Sequence, residues 1–104
     1  MEKEIQEITK RIVKNFNPRR LVLFGSRAGG AVTPNSDIDL CIINDRAQDK
    51  SQDFIKIRKI LGDSILPMDI LFFTREEFNK RKDIWGTVQY EIDKKGVVLH
   101  ERRD

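Results

Sequence analysis

Cysteine and histidine are almost missing from this chain, each occurring once. A single cysteine excludes an intramolecular disulfide, and the pair together exclude zinc sites built from Cys or His. Cys41 lies inside the apolar run Leu40-Cys41-Ile42-Ile43 and reads as a small buried hydrophobe rather than a nucleophile. His100 sits in the charged stretch His100-Glu101-Arg102-Arg103 and is expected in solvent. No apolar run approaches the roughly 20 residues needed to span a bilayer. The start, Met1-Glu2-Lys3-Glu4-Ile5, lacks the apolar core of a signal peptide. A cytoplasmic protein without membrane contact is the expectation. Repeats, low-complexity segments and internal linkers are also lacking, so residues 1–104 are expected to form one domain around one modest core.

Charge, by contrast, is plentiful. Charged residues make up 36% of the chain, with a net charge of +3 and a pI near 9.2. The basic residues are mostly interspersed with acidic ones, with clusters at Arg19-Arg20 and Lys80-Arg81-Lys82. Such clusters are either a solvated helix end and loop or a surface for phosphates, RNA or an acidic partner. No aromatic interleaving of the base-stacking kind accompanies them, so direct nucleic-acid binding is not expected.

The hydrophobic pattern predicts interleaved helices and strands. Ile5, Ile8, Ile12, Val13 and Phe16 mark one face of an amphipathic helix over about residues 2–16, ended by Asn17-Pro18. Leu21-Val22-Leu23-Phe24 is uniformly apolar, as a strand buried on both faces would be. A Gly25-Ser26 turn and a helix start follow, with loop signals at Gly29-Gly30 and Thr33-Pro34-Asn35-Ser36. Asp37 to Ile43 is the second strand, and Asn44 to Lys50 reads as a loop. Phe54, Ile57, Ile60 and Leu61 give a second amphipathic helix stopped by Gly62. Met68 to Phe73, after Pro67, is a third strand. Thr74 and Glu77 have the spacing of a capping box, opening a short helix. Ile84, Trp85, Val88 and Ile92 fit a further helix closing near Gly96, and Val97-Val98-Leu99 is the last strand. Trp85 and Tyr90 fit core or partner interface better than a base-stacking platform. The predicted order is α-β-α-β-α-β-α-α-β, an α/β (α+β) layer structure.

The chemistry-bearing residues concentrate between 24 and 40. In a strand, Asp37 and Asp39 project from the same face, roughly 7 Å apart at Cα, while Ile38 and Leu40 face the core. Two carboxylates side by side repel unless a cation lies between them, and Mg²⁺ prefers oxygen ligands of this kind. The Gly25-Ser26 turn offers backbone N–H groups and a hydroxyl suited to a phosphate. Arg27 either adds a charge toward that phosphate or is solvated. Gly29 and Gly30 either relieve crowding near a nucleotide or simply form the turn. Asp69 is a lone charge in an apolar strand. It either points to solvent or pairs with a basic residue, or it brings a third carboxylate to the same cluster if its strand neighbours the Asp-Ile-Asp strand.

Gly25-Ser26, a ten-residue spacer, Asp37-Ile38-Asp39 and a later Asp69 together resemble the DNA polymerase β-like nucleotidyltransferase superfamily. The similarity is greatest to its smallest members, the minimal nucleotidyltransferase (MNT) proteins of prokaryotes. It covers essentially the whole chain, including Phe24-Gly25-Ser26-Arg27-Ala28 and the last helix running into Lys95-Gly96-Val97-Val98-Leu99. The resemblance implies a mixed central sheet flanked by helices. It also implies transfer of AMP from ATP to an acceptor hydroxyl, with two Mg²⁺ ions and release of pyrophosphate. Asp37 and Asp39 are then metal ligands, Asp69 the third carboxylate, and Gly25, Ser26 and Arg27 the triphosphate side. Gly29 stands where many relatives carry a larger, often basic residue.

Small proteins of this kind are often antitoxins that transfer AMP onto a tyrosine of a HEPN-type toxin. The resemblance therefore implies a toxin partner and a hetero-oligomer with it. Within 104 residues there is no second domain to grip an acceptor, so the acceptor is expected to come from another molecule or subunit. Two alternatives stand beside this: neutralisation of the toxin by binding alone, and transfer to a small molecule or an RNA end.

Overall fold

A computed structural model describes residues 3–28, 37–45, 50–62 and 68–103. Its elements are α1 (Lys3–Asn15), β1 (Arg20–Phe24), β2 (Ile38–Asn44), α2 (Lys50–Leu61), β3 (Met68–Thr74), α3 (Arg75–Arg81), α4 (Val88–Lys95) and β4 (Val97–Glu101). The four strands form one sheet in the order β3-β2-β1-β4. β1 pairs antiparallel with both β2 and β4, and β2 pairs parallel with β3, so the sheet is mixed.

The alternation of side chains along the strands divides the core into two layers. On one face Leu21, Leu23, Ile38, Leu40 and Ile42 pack with Ile5, Ile8 and Ile12 of α1 and Ile57 and Leu61 of α2. On the other, Val22, Cys41 and Ile43 pack with Phe78 of α3 and Ile92 of α4. The central strands are thus covered on both sides, which is why their sequences run apolar without a polar gap. Burial pushes the Cys41 thiol up to about 12, partly offset by the charge of Arg20, so it is inert as a nucleophile.

Local sequence accounts for the helix ends. Asn17, at φ 50, takes the left-handed conformation after α1, and the N–H groups of Phe16 and Asn17 both donate to the Ile12 carbonyl. Gly62, at φ 58, follows α2, and the Arg11 guanidinium donates to the Leu61 carbonyl at 3.3 Å. Thr74 forms the expected capping box: its hydroxyl accepts from the Glu77 N–H at 3.0 Å, and the Glu77 carboxylate accepts from the Thr74 N–H at 2.9 Å.

Several expectations need correction. Ile84 and Trp85 do not belong to the last helix, which starts only at Val88 behind the N-cap Thr87. Gly86, at φ 92, breaks the chain before it. The Thr87 hydroxyl donates to the carbonyls of Arg81 and Ile84, and Ile84 and Trp85 are left 53% and 83% exposed. Trp85 is therefore not core. In α2 the buried positions are Asp53, Ile57 and Leu61, at four-residue spacing, while Phe54 is exposed. His100 is not in the solvated tail; it lies in β4 opposite Leu21, half-buried, with Nε2 buried and lacking a hydrogen-bond partner. Ser26 to Ala28 form turns, and the rest of the helix expected before Asp37, with Gly29 and Gly30, lies outside the described residues. Among the described residues no helix is long and apolar enough to cross a membrane.

The capping box gives a direct stability test. Thr74→Ala removes the hydroxyl that receives the Glu77 N–H and is expected to lower unfolding free energy by about 1 kcal/mol, read as a lower urea midpoint at unchanged slope.

A carboxylate cluster at one end of the sheet

The strand register decides which acids meet. β1 ends, and β2, β3 and β4 begin, at the same end of the sheet. There Phe24 pairs with Asp39, and Asp39 pairs with Asp69. Directly paired residues on neighbouring strands stand roughly 5 Å apart and point to the same face. Asp69 therefore does not stand alone on its strand; its register partner is a second aspartate. Asp39 shares its face with Cys41 and Ile43, and Asp69 shares its face with Leu71 and Phe73, so both project on the side covered by α3 and α4. Asp37 lies immediately before β2, whose first residue is Ile38, and is exposed; Asp69 is exposed and Asp39 half-buried.

Gly25 follows β1 directly at φ 77, a conformation that glycine adopts without strain. A Cβ there would overlap Oδ2 of Asp39 and stand 3.0 Å from its Cγ. The Asp39 carboxylate thus lies against the bare backbone of the turn, so the acid and the phosphate-type turn form one surface. Ser26, exposed, and Arg27, half-buried, continue that turn.

The electrostatics follow from the register. The Asp39 carboxyl is raised above its ordinary value, first by burial, then by the charges of Asp69 and Asp37. Asp39 therefore feels both of the other acids. Like charges gathered side by side are an arrangement that a cation stabilises. Among the described residues, no three Asp, Glu, His or Cys side chains converge closely enough to hold a metal ion by themselves. Mg²⁺ is commonly held by one or two carboxylates, with water and substrate phosphate completing its shell. The donor set and the Gly25 cradle fit such a shared ion.

Two residues that sequence reasoning did not single out line this end. A cavity of about 300 Å³ is bounded by Phe24, Gly25, Glu91 and Lys95. Lys95 pairs with Glu91 at 3.3 Å and supplies a cation beside the turn. Gly96 brings them here. A Cβ at Gly96 would overlap the Ile92 carbonyl and crowd Val22, so only glycine lets the end of α4 settle on β1. The Lys95-Gly96 pair before the last apolar run was the available signal.

Relief of the like-charge strain is measurable without any ligand. Asp39→Asn is expected to raise the thermal midpoint of the protein in chelator by a few degrees, about 1 kcal/mol corresponding to roughly 4–8 °C for a domain of this size. An unchanged or lower midpoint would mean that Asp39 is not held at a cost by burial and the neighbouring charges.

Comparison with known proteins gives a consistent result. A family model described as a nucleotidyltransferase domain matches residues 2–95. Among solved structures, a protein of Sulfolobus solfataricus provisionally described as a nucleotidyltransferase is similar over 96% of this chain and 79% of its own, at 18% identity and a TM-score of 0.66. A second protein with the same provisional description is similar over 94% of this chain and 96% of its own, at 26% identity and a TM-score of 0.55. The first shares the fold at an identity too low to say more. No curated protein matches the chain.

Proposed function

The chain belongs to the nucleotidyltransferase domain family, and from that premise we propose that it transfers AMP from ATP to a hydroxyl of a partner protein. The observation that carries the proposal is the strand register, which sets Asp39 against Gly25 on one side and beside Asp69 on the other. A phosphate-binding turn and a cluster of acids sharing one surface are what phosphoryl-type transfer needs.

The roles follow from position. The N–H groups around Gly25-Ser26 and the Ser26 hydroxyl receive the triphosphate, with Arg27 adding positive charge on that side. Asp37, Asp39 and Asp69, together with the triphosphate, would hold two Mg²⁺ ions, which would supply charge neutralisation on the phosphoryl oxygens. The acceptor oxygen bonds to the α-phosphorus, the bond to the β-phosphate oxygen breaks, and pyrophosphate leaves. Asp69 lies on the edge strand β3 and is exposed, so an acceptor hydroxyl can reach it and give up its proton there. Lys95, beside the turn, can orient the nucleotide.

The acceptor side of the proposal rests on the likeness to minimal nucleotidyltransferases. There the acceptor is a tyrosine of a HEPN-type toxin, and this chain would be its antitoxin, held in a hetero-oligomer. What favours a protein acceptor here is the exposed Ile84-Trp85 tip with Val88 beside it, apolar surface of the kind that docks another protein.

The test is incubation with labelled ATP, Mg²⁺ and the product of the neighbouring gene, followed by mass analysis of that product. One AMP-sized increase on a hydroxyl residue is expected. Asp37→Ala with Asp39→Ala is expected to abolish it, and Asp69→Asn to slow it by about 10²–10⁴-fold. No transfer, together with full neutralisation of the partner by the double variant, would instead establish inhibition by binding. Transfer to a small molecule or RNA end in the same assay would move the acceptor assignment.

A further inference from the structure

The cavity bounded by Phe24, Gly25, Glu91 and Lys95 adjoins the carboxylates. At about 300 Å³ it lies at the lower end of the range for small-ligand sites. Phe24 is the register partner of Asp39, so the two side chains stand side by side, roughly 5 Å apart, on the face covered by α3 and α4. Gly25 belongs both to the cavity wall and to the turn that continues through Ser26 and Arg27. A nucleotide whose phosphates lie on that turn therefore has this cavity next to it.

Packing fixes the walls before any ligand arrives. Phe24 is half-buried and packs against the layer of Val22, Cys41, Ile43, Phe78 and Ile92. The second half of α4 supplies Glu91 and Lys95, and Gly96 lets that end of the helix sit directly on β1. The charges of the lining cancel. Lys95 Nζ lies 3.3 Å from Glu91 Oε2, so the pair adds no net charge to the cavity. A triphosphate would gain little from such a lining, whereas a flat, uncharged group gains the aromatic wall of Phe24. The ion pair engages one carboxylate oxygen of Glu91. A carboxylate offers about four acceptor positions, so Glu91 keeps capacity to accept from a donor on that flat group.

We propose that this cavity takes the base of the donor nucleotide, with Phe24 against its face and Glu91 accepting a hydrogen bond from an amino group on its edge. The inference rests on the proposed nucleotidyl transfer and adds a place for the nucleoside half of the donor to that for its phosphates. Adenine and cytosine carry such an amino donor, whereas uracil and guanine present a carbonyl oxygen at the corresponding position, which a carboxylate repels. Glu91 is then a specificity-determining residue that favours ATP over UTP, and Lys95 is a positioning residue that holds the Glu91 carboxylate.

The probes are the α,β-methylene analogues of ATP and UTP, whose α–β linkage cannot be cleaved, and inorganic tripolyphosphate, which has no base. Each is titrated calorimetrically into the whole protein with Mg²⁺ present. Wild type is expected to bind the ATP analogue about fivefold or more tighter than the UTP analogue. Phe24→Leu keeps an apolar side chain and removes the aromatic face. It is expected to weaken the ATP analogue about fivefold or more and leave tripolyphosphate binding unchanged, which also shows that the variant is folded. Glu91→Gln changes an exposed side chain to one that both donates and accepts, so the preference for ATP over UTP is expected to fall toward one, again with tripolyphosphate unchanged. The Phe24 ring resonances should shift with the ATP analogue and stay in place with tripolyphosphate. Unchanged ATP-analogue binding in Phe24→Leu, or an unchanged ATP-to-UTP ratio in Glu91→Gln, would overturn the base site while leaving the phosphate turn and the transfer reaction standing. Equal loss of all three probes in Lys95→Gln would place the phosphate chain in the cavity and overturn it too. Failure of wild type to bind any probe would instead remove the transfer reading itself, and the base site with it.

Discussion

Strand β2 lies between β1 and β3, and its register with both is the constraint on which the functional end of the molecule depends. Ile38, Leu40 and Ile42 must face α1 and α2, because all three are fully buried there. Side chains alternate along a strand, so this choice commits Asp39 to the opposite face. A slip of one residue would drive the aspartates into the layer under α1 and α2 and turn the isoleucines to the other face. The hydrophobic core thereby holds the acids in place, and no dedicated polar scaffold is needed. The same pairing seats Asp69 beside Asp39 and Gly25 against it.

That arrangement carries a cost within the fold. Asp39, half-buried and close to the charges of Asp69 and Asp37, has its charged form disfavoured. The sheet tolerates the three acids because they sit at its end, beyond the packed cores, where water and a ligand can reach them. Departures from the rules of stable packing tend to collect at functional sites. At the other end of the sheet Asp45 pairs with Arg19, Arg75 and Arg102.

Much of the fold was legible because its signals are local. The spacing of Ile5, Ile8 and Ile12, the apolar runs of β1 and β2, and the Thr74–Glu77 capping pair each act within a few residues. The errors have local causes as well. Ile84, Trp85, Val88 and Ile92 share helical spacing, but Gly86 takes a positive φ and Thr87 caps the helix that follows, so the first two residues fall outside it. The Asp37-Ile38-Asp39 pattern was readable as a pair of acids. Its meeting with Asp69 was legible as a conditional and through the resemblance, but not from local pattern, because the parallel pairing of β2 and β3 spans thirty residues of chain and depends on the whole sheet. Lys95 was hidden for a similar reason, since its position follows from the close seat of Gly96 on β1. The Asp45 ion pairs are the extreme case: Arg19 and Arg102 lie far apart in the sequence and become neighbours only through the β1–β4 pairing.

The reading of Asp37, Asp39 and Asp69 as a cation-sharing cluster is tested most directly by counting bound Mn²⁺. Electron paramagnetic resonance of free Mn²⁺ is followed during titration of the protein with a non-hydrolysable ATP analogue present. Two ions per chain are expected to disappear from the free signal with wild type, and none with Asp37→Asn/Asp39→Asn. Equal Mn²⁺ uptake by the two proteins, or no uptake by wild type, would contradict it.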